Sequence, residues 1–383
     1  MPQIQPEHDP VSVVAADQAG TRRDFLHLPE RIYADDPASV APLFVEQKQR
    51  VFKNAPLFAH CEVAAWVAYR AGVPVGRITA QLDELQPAEA DGGPVGYFGM
   101  IEAVDDGAVF SALIDTAQNW LKARGAAYMR GPYNLSINEE IGLLVENFDT
   151  APFIMMGHAR PWYDARLAEQ GLVGIKDLLT YMVRPDFTAP DVMTKLAERA
   201  SRKVTIRPFN RKSKAADFEA MRDIFNDAWA DNWGFVPFTP EEFEETAKLL
   251  TLLLPDDFIQ FAEIEGRPVA FITAFPNLNE LVGDLRGRLL PLGWAKLLWR
   301  LKVKGARSAR VALMGVRKEH QYSRLGPTLA FMVIDAVRKA MMRRGVETVE
   351  MGWILEDNDG MRHIIEAIGS TIHKRYRVYQ KRL

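Results

Sequence analysis

One cysteine in 383 residues, Cys61, leaves the chain without disulfide staples or a cysteine-based zinc site, as expected of a protein kept in a reducing compartment. It falls in an expected strand and reads as a buried structural thiol rather than a nucleophile. No metal site is expected. No run approaches the ~20 apolar residues of a membrane span. An excess of one charge is missing too: 47 Lys and Arg stand against 50 Asp and Glu, a net charge of −3, which excludes a generally basic nucleic-acid binder. Residues 1–10 are polar and acidic and carry Pro2, Pro6 and Pro10, unlike a signal peptide. The expectation is a protein that stays in the cytoplasm. What is present, 48% hydrophobic and 25% charged residues, suffices for full cores, and the length predicts two domains, or three.

Periodicity shows one pattern twice. In the second half, residues 204–209 read as a strand and 217–229 and 241–253 as helices. Residues 258–265 and 268–275 form a hairpin turning at Gly266-Arg267. Then come a strand (310–316), a polar turn (317–326), an amphipathic helix (328–344), a strand (347–355), a helix from Asn358 and a closing strand (373–380). The first half repeats the order: strand 11–15, helix 22–33, and a hairpin of 62–69 and 75–81 turning at Ala71-Gly72. Strand 96–102, helix 108–124, strand 127–131, helix 162–170 and strand 176–183 complete it. The expected domains are 11–187 and 204–383, joined by 188–203 with a helical piece at 192–201.

Three segments carry the chemistry. The turn Gln321-Tyr-Ser-Arg-Leu-Gly326 aims a strand at a helix N-terminus, an anion site built from free N–H groups and the helix dipole. After the matching first-half strand stand Asp105 and Asp106, which would repel phosphate. In residues 128–144, Asn134, Asn138, Glu139 and Glu140 interrupt a strand-like run. Adjacent carboxylates there can share a pocket and raise one pKa, or form a solvated loop tip. The insertion 285–310 has eight basic residues and no Asp or Glu. Trp294, Leu297, Leu298 and Leu301 share one helical face, with Lys296, Arg300 and Lys304 opposite. A helix of this kind lies on anionic lipid, although packing on a core would explain the apolar face equally well.

The turn resembles the pyrophosphate loop of GCN5-related N-acyltransferases (GNATs), (Gln/Arg)-x-x-Gly-x-(Gly/Ala), with Arg324 at its first glycine position, where a guanidinium fork can pair with phosphate. The spacing Asn358, Met361, Ile364, Gly369 is similar to that family's fourth helix. The whole chain resembles the tandem-GNAT acyltransferases identified as bacterial ceramide synthases. The resemblance rests on Val75-Gly-Arg-Ile78, Gly99-Met-Ile-Glu102, Arg130-Gly-Pro132 through Glu140, and Leu143-Leu-Val-Glu-Asn-Phe-Asp149. It continues through Pro291-Leu-Gly-Trp-Ala-Lys-Leu-Leu-Trp299, Leu313-Met-Gly-Val316, Trp353-Ile-Leu-Glu-Asp-Asn358 and Lys374-Arg-Tyr-Arg-Val-Tyr379.

That resemblance implies an α+β fold of two tandem GNAT-like domains, each a mixed, mainly antiparallel sheet flanked by helices. It implies an N-acyltransferase moving a long-chain acyl group from acyl-CoA to the amine of sphinganine, 3-oxosphinganine or another lipid amine, with no tightly bound cofactor. Coenzyme A is expected on Met314, Gly315, Val316, Gln321, Ser323, Arg324, Leu325, Gly326, Thr328 and Asn358, where the strand splays near Gly315 and a backbone N–H holds the thioester oxygen. The first domain is expected to shape the acceptor pocket through Asn134, Asn138 and Glu139. Many relatives protonate sulfur with a fourth-helix tyrosine, whose position here is Ile365, so that acid is absent or supplied elsewhere; Tyr322, Tyr376 and Tyr379 are the candidate substitutes. For the base, Glu356 comes first, Asp357 second, and Glu139 or Glu140 third, unless Glu356 and Asp357 only cap the following helix. His158 and His320 read as surface residues. The expected location is the cytoplasmic face of the inner membrane, held through 285–307. Two alternatives stand: acylation of an amino acid or other small amine, with acyl carrier protein as possible donor, and a non-catalytic acyl-CoA or lipid binder.

Overall fold

The computed structural model describes residues 9–52, 55–89 and 92–383. The reading of the N-terminal segment falls mostly on residues 1–8, outside that range. Two compact units divide the chain: unit 1 holds residues 1–177, 285–289 and 375–383, and unit 2 holds 178–284 and 290–374.

The elements begin with β1 (Val11–Ala15), α1 (Ala19–Ile32), α2 (Phe44–Phe52), β2 (Cys61–Arg70), β3 (Val73–Asp83) and β4 (Val95–Ala103). Next come α3 (Gly107–Lys122), β5 (Tyr128–Gly131), the short β6 (Tyr133–Asn134), β7 (Glu140–Ile141) and β8 (Leu143–Glu146), then α4 (Tyr163–Glu169) and β9 (Val173–Val183). After them lie α5 (Asp191–Ala200), β10 (Val204–Pro208), α6 (Lys214–Trp229), α7 (Pro240–Leu253), β11 (Ile259–Ile264), β12 (Arg267–Pro276) and α8 (Leu278–Val282). The chain ends with α9 (Gly293–Trp299), a π-helical turn (Arg300–Lys304), β13 (Ser308–Val316), α10 (Lys318–Gln321), α11 (Gly326–Arg343), β14 (Thr348–Leu355), α12 (Asp359–Ala367) and β15 (Thr371–Arg382).

The two units repeat one sheet plan. In unit 1, β1 to β4 form an antiparallel run and β4 pairs parallel with β5; in unit 2, β10 to β13 form the run and β13 pairs parallel with β14. The helix between each parallel pair, α3 or α11, packs on the sheet through its apolar stripe. Val109, Leu113 and Ala117 of α3 are fully buried, as are Leu329, Val333 and Val337 of α11, one face of each at helical spacing. Both hairpins turn on two residues with positive φ, Ala71-Gly72 and Glu265-Gly266, the backbone that matches strand twist. The second turn therefore sits one residue before the expected Gly266-Arg267.

The terminal strands correct the expected assignment. The strand expected to close the second sheet pairs with β5 and β8, both in unit 1, from Arg375 onward. The strand expected to end the first domain pairs with β14 through Leu178–Val183. Alternation marks a segment as a strand without stating which edge it joins, so consecutive blocks 11–187 and 204–383 do not match the compact units. Asp177 anchors Arg375 at 3.0 Å and Arg377 at 2.8 Å within unit 1.

Candidate active site

The ladder between β13 and β14 ends at Val311↔Met351, although both strands continue, to Val316 and Leu355. The gap thus opens well before Gly315, the expected point. The other edge of β13 stays paired with β12 up to Ala270↔Val316. Arg317 N–H donates to Val269 O at 2.9 Å, on the β12 side. Because strand residues alternate in the edge they address, the N–H groups of Met314 and Val316 face the gap. Their carbonyls are engaged: Trp229 Nε1 donates to Met314 O at 2.8 Å, and Gln321 Nε2 donates to Val316 O at 2.8 Å and Ala228 O at 3.0 Å. Gln321 is therefore a tether for the loop.

The expected anion turn contains a short helix, α10, before the N-terminus of α11. Ser323 Oγ donates to His320 O at 2.8 Å and accepts from Leu325 N at 3.1 Å, while Gly326 N–H donates to Ser323 O at 3.2 Å. The first turn of the 18-residue α11 has no side-chain cap, so its positive end is available to an anion. Arg324 is exposed beside it, and buried Thr328 returns its hydroxyl to Arg324 O at 3.3 Å. A Cβ on Gly326 would lie 2.6 Å from His320 O and 2.7 Å from Gln321 O, so glycine is required by the loop's own backbone. Gly315 is also tight, with Ile224, Ala228 and Phe271 within 3.3 Å of a Cβ there.

The gap leads into an apolar cavity of about 100 Å³. Trp229 and Trp353, edge to face at 5.8 Å, stand in its lining with Met314, and Ile365, 2% exposed, lines it from α12. The tyrosine position of the family is thus filled by part of an apolar wall. The substitutes differ in setting: Tyr322 is 90% exposed, Tyr376 is fully buried, and Tyr379 donates to Asp164 at 2.6 Å within unit 1. Glu356 follows β14 half-buried, its carbonyl accepting from Arg362 Nη1 at 2.7 Å, and Asp357 is exposed. The cap of α12 is neither of them but Asn358, whose Oδ1 accepts from Met361 N at 3.1 Å while the residue also lines the cavity.

Unit 1 closes the equivalent features. Its parallel ladder spans only Val95–Tyr97 with Tyr128–Arg130, and the segment after β5 occupies the space beyond. Gln81 Nε2 donates to Tyr133 O and Leu135 O, each at 3.0 Å, and Met100 N donates to Asn134 Oδ1 at 2.7 Å. Gly99 lies so close to Tyr133 O that a Cβ would overlap it. At the start of α3, Asp106 accepts from Ala108 N and Val109 N and pairs with Arg70. The expected repulsion of phosphate is here an occupied helix cap.

Asn134, Glu139 and Glu140 belong to one network in unit 1. Asn134 Nδ2 donates to Glu140 Oε2 at 2.9 Å, and Arg50 pairs with Glu139 and, at 3.1 Å, with Glu46. Burial pushes the Glu139 carboxyl up even against Arg50. Burial opposes the Arg50 charge, but Glu139, Glu46 and Glu140 hold it on. The loop-tip alternative therefore fails for Glu139 and Glu140. The backbone N–H of Asn138 donates to Ser136 Oγ at 3.2 Å. His158 and His320 are half-buried rather than on the surface, and the His158 ring lies 2.9 Å from Asp36. Sequence reasoning missed Arg50, Trp229 and the cavity wall; Trp229, an aromatic at the end of an amphipathic helix, was the available signal.

In the insertion, Lys296 and Arg300 both pair with Asp284, so two of the three expected free cations are tied down, sharing one carboxylate. Leu297 and Leu301 are half-buried, whereas Leu290, Leu292, Trp294, Leu298, Trp299 and Val303 are exposed. No helix among the described residues is long and apolar enough to cross a membrane.

No family model matches the chain. Protein YghO of Escherichia coli is 48% identical over 360 residues, 94% of this chain and 92% of its own. The bacterial ceramide synthase of Caulobacter vibrioides is 42% identical over 375 residues, 97% of this chain and 98% of its own. Among solved structures, a tandem GNAT protein from the clavulanic acid biosynthesis pathway matches 97% of this chain and 98% of its own, with TM-score 0.55 and 14% identity. A GCN5-related glucosamine N-acetyltransferase region of a fungal β-N-acetylglucosaminidase matches 97% of this chain and 38% of its own, with TM-score 0.58 and 16% identity. At such identities these two speak for the fold alone. With a gap between parallel strands, an uncapped helix after it, and near-full-length identity to the Caulobacter protein, the chain belongs to the bacterial ceramide synthase family, acyltransferases of the tandem-GNAT fold.

Proposed function

We propose that this acyltransferase moves a long-chain fatty acyl group from acyl-CoA to the amine of a sphingoid base, sphinganine or its 3-oxo form, giving a (dihydro)ceramide. The observation that carries this reading is the 42% identity to the ceramide synthase over 98% of that protein. The open gap and uncapped α11 of unit 2, against the filled gap and capped α3 of unit 1, support acyl-CoA binding in unit 2. The diphosphate lies at the start of α11 with Arg324, and pantetheine adds as a strand beside Met314, Gly315 and Val316. A gap-facing N–H there stabilises the oxyanion when the amine attacks the thioester carbon, a donor worth ~3 kcal/mol of barrier. Glu356 takes the proton from the attacking nitrogen. The C–S bond then breaks and coenzyme A leaves as a thiolate that takes a proton from solvent, to which Glu356 returns the one it accepted.

Unit 1 contributes the acceptor pocket, with Asn134, Asn138 and Glu139 as its polar contacts. The ion pair of Glu139 with Arg50 supports a binding role over that of base. The exposed apolar residues from Leu290 to Val303, with Lys302 and Lys304 among them, support docking on the anionic cytoplasmic face of a membrane, where both lipid substrates partition. The test is direct: purified protein with palmitoyl-CoA and sphinganine or 3-oxosphinganine, products read by mass spectrometry, beside a panel of amino acids. N-acyl sphingoid base is expected. Acylation of amino acids with none of the sphingoid bases would overturn the reading.

A further inference from the structure

The cavity behind the β13–β14 gap reaches further than amine chemistry at a thioester requires. One wall is a single face of α11: Ile334, Val337, Arg338 and Met341 fall at i, i+3, i+4 and i+7. The lining also includes Val311 and Met351, the last paired residues of the two strands. Pro185 and Phe187, also in the lining, belong to a strap held in place by Arg338. Its Nη1 donates to Pro185 O and Phe187 O, each at 3.1 Å, and its guanidinium lies 4.8 Å from the Phe187 ring. The cavity is therefore lined by residues of the gap, by the last paired residues of the two strands and by one face of α11.

We infer that this cavity is the subsite for the hydrocarbon tail of the acyl donor, and that Val337 and Met341 set how many methylenes it admits. The inference rests on the acyl-CoA reading of unit 2. The lining is overwhelmingly apolar, as a tail needs and a second polar substrate would not. At about 100 Å³ the resting cavity is smaller than one that holds a benzene ring, about 150 Å³. Only the first few methylenes fit without adjustment. Met314, Met351 and Met361 also line it, and their unbranched thioether chains can move aside at low cost. Val337, 1% exposed, cannot, because a β-branched side chain on a helix has essentially one rotamer.

S-alkyl-CoA thioethers of increasing length, with free CoA as the reference, read this subsite without any acceptor amine. Affinity in the wild-type protein is expected to rise about fourfold per methylene, the equivalent of ~0.8 kcal/mol each, and then level off. Val337→Phe is expected to level off at a shorter chain and Met341→Ala at a longer one, with free CoA binding equally to all three. The opposite signs keep the test intact if one variant fails to fold. An unchanged levelling point in a folded variant overturns the subsite assignment while leaving CoA binding in place. Wild-type protein that binds neither CoA nor thioether overturns the acyl-CoA reading as well.

Discussion

Glu356 differs from Glu139 and Glu140 in its position in the fold. Glu139 has Arg50 as an ion-pair partner and Glu140 accepts from Asn134, whereas Glu356 stands in the turn that follows β14, beyond the open end of the gap. Glu356→Gln preserves shape and removes proton acceptance, so kcat/KM is expected to fall about 100- to 10,000-fold with acyl-CoA affinity unchanged. Near-normal turnover in that variant, with loss in Glu139→Gln, would transfer the base to unit 1. Gly326 and Arg324 separate loop integrity from phosphate pairing. Gly326→Ala sets a Cβ against two backbone carbonyls and is expected to lower stability by about 1–3 kcal/mol, measured by denaturant unfolding. A bulky residue at Gly326 would therefore test the fold of the loop before it tested CoA. Arg324→Ala leaves the fold alone and is expected to weaken CoA binding by ~1.5–3 kcal/mol in calorimetry; unchanged affinity would leave the anion to the helix end.

Elements carry two further consequences. The first concerns β15, tied into unit 1 by Asp177 with Arg375 and Arg377. Burial works against the Asp177 charge, but the two guanidiniums outweigh it and hold the carboxyl below its usual 3.8. A depressed carboxylate pKa gives stability that is present above 3.8 and lost as the pH falls through the folded-state value. Thermal midpoints measured downward from about pH 5 are expected to drop in that range, and less so in Asp177→Asn. The second concerns α9 and the π-helical turn after it. Lys296 and Arg300 answer to Asp284, so reversing them would break a local ion pair along with any lipid contact. Lys302 and Lys304 are exposed and carry the cleaner test. Lys302→Glu with Lys304→Glu is expected to weaken binding to anionic vesicles by ~1 kcal/mol per residue in co-sedimentation, with activity on a short-chain soluble donor retained. Equal sedimentation would assign the exposed leucines and tryptophans to some contact other than lipid.

At the scale of the molecule, one sheet plan occurs twice, with the strand gap open in unit 2. Both units have the parallel strand pair and the helix between, yet β6 and Asp106 fill in unit 1 what β13, β14 and α11 leave open in unit 2. Calorimetric titration with acyl-CoA is therefore expected to give close to one site per chain. Two equivalent sites would mean that the segment at Tyr133–Asn134 yields to ligand, against the close approach of Gly99 to Tyr133 O.

The sequence alone determined the elements and their repetition, because these depend on local spacing. The alternation in 310–316, the helical stripe through Leu329, Val333 and Val337, and the paired hairpins are all written within a few residues. So was the asymmetry between Asp105-Asp106 and the Gln321–Gly326 turn, since a charge states its own preference for phosphate. Only the tertiary structure decided which edge each terminal strand joins, where the gap opens, that Asp106 caps a helix, and that Arg50 lies beside Glu139. The physical reason is one of range. Backbone pairing is chemically the same at every edge, and a side chain 89 positions away in the chain leaves no mark on the local pattern of its partner.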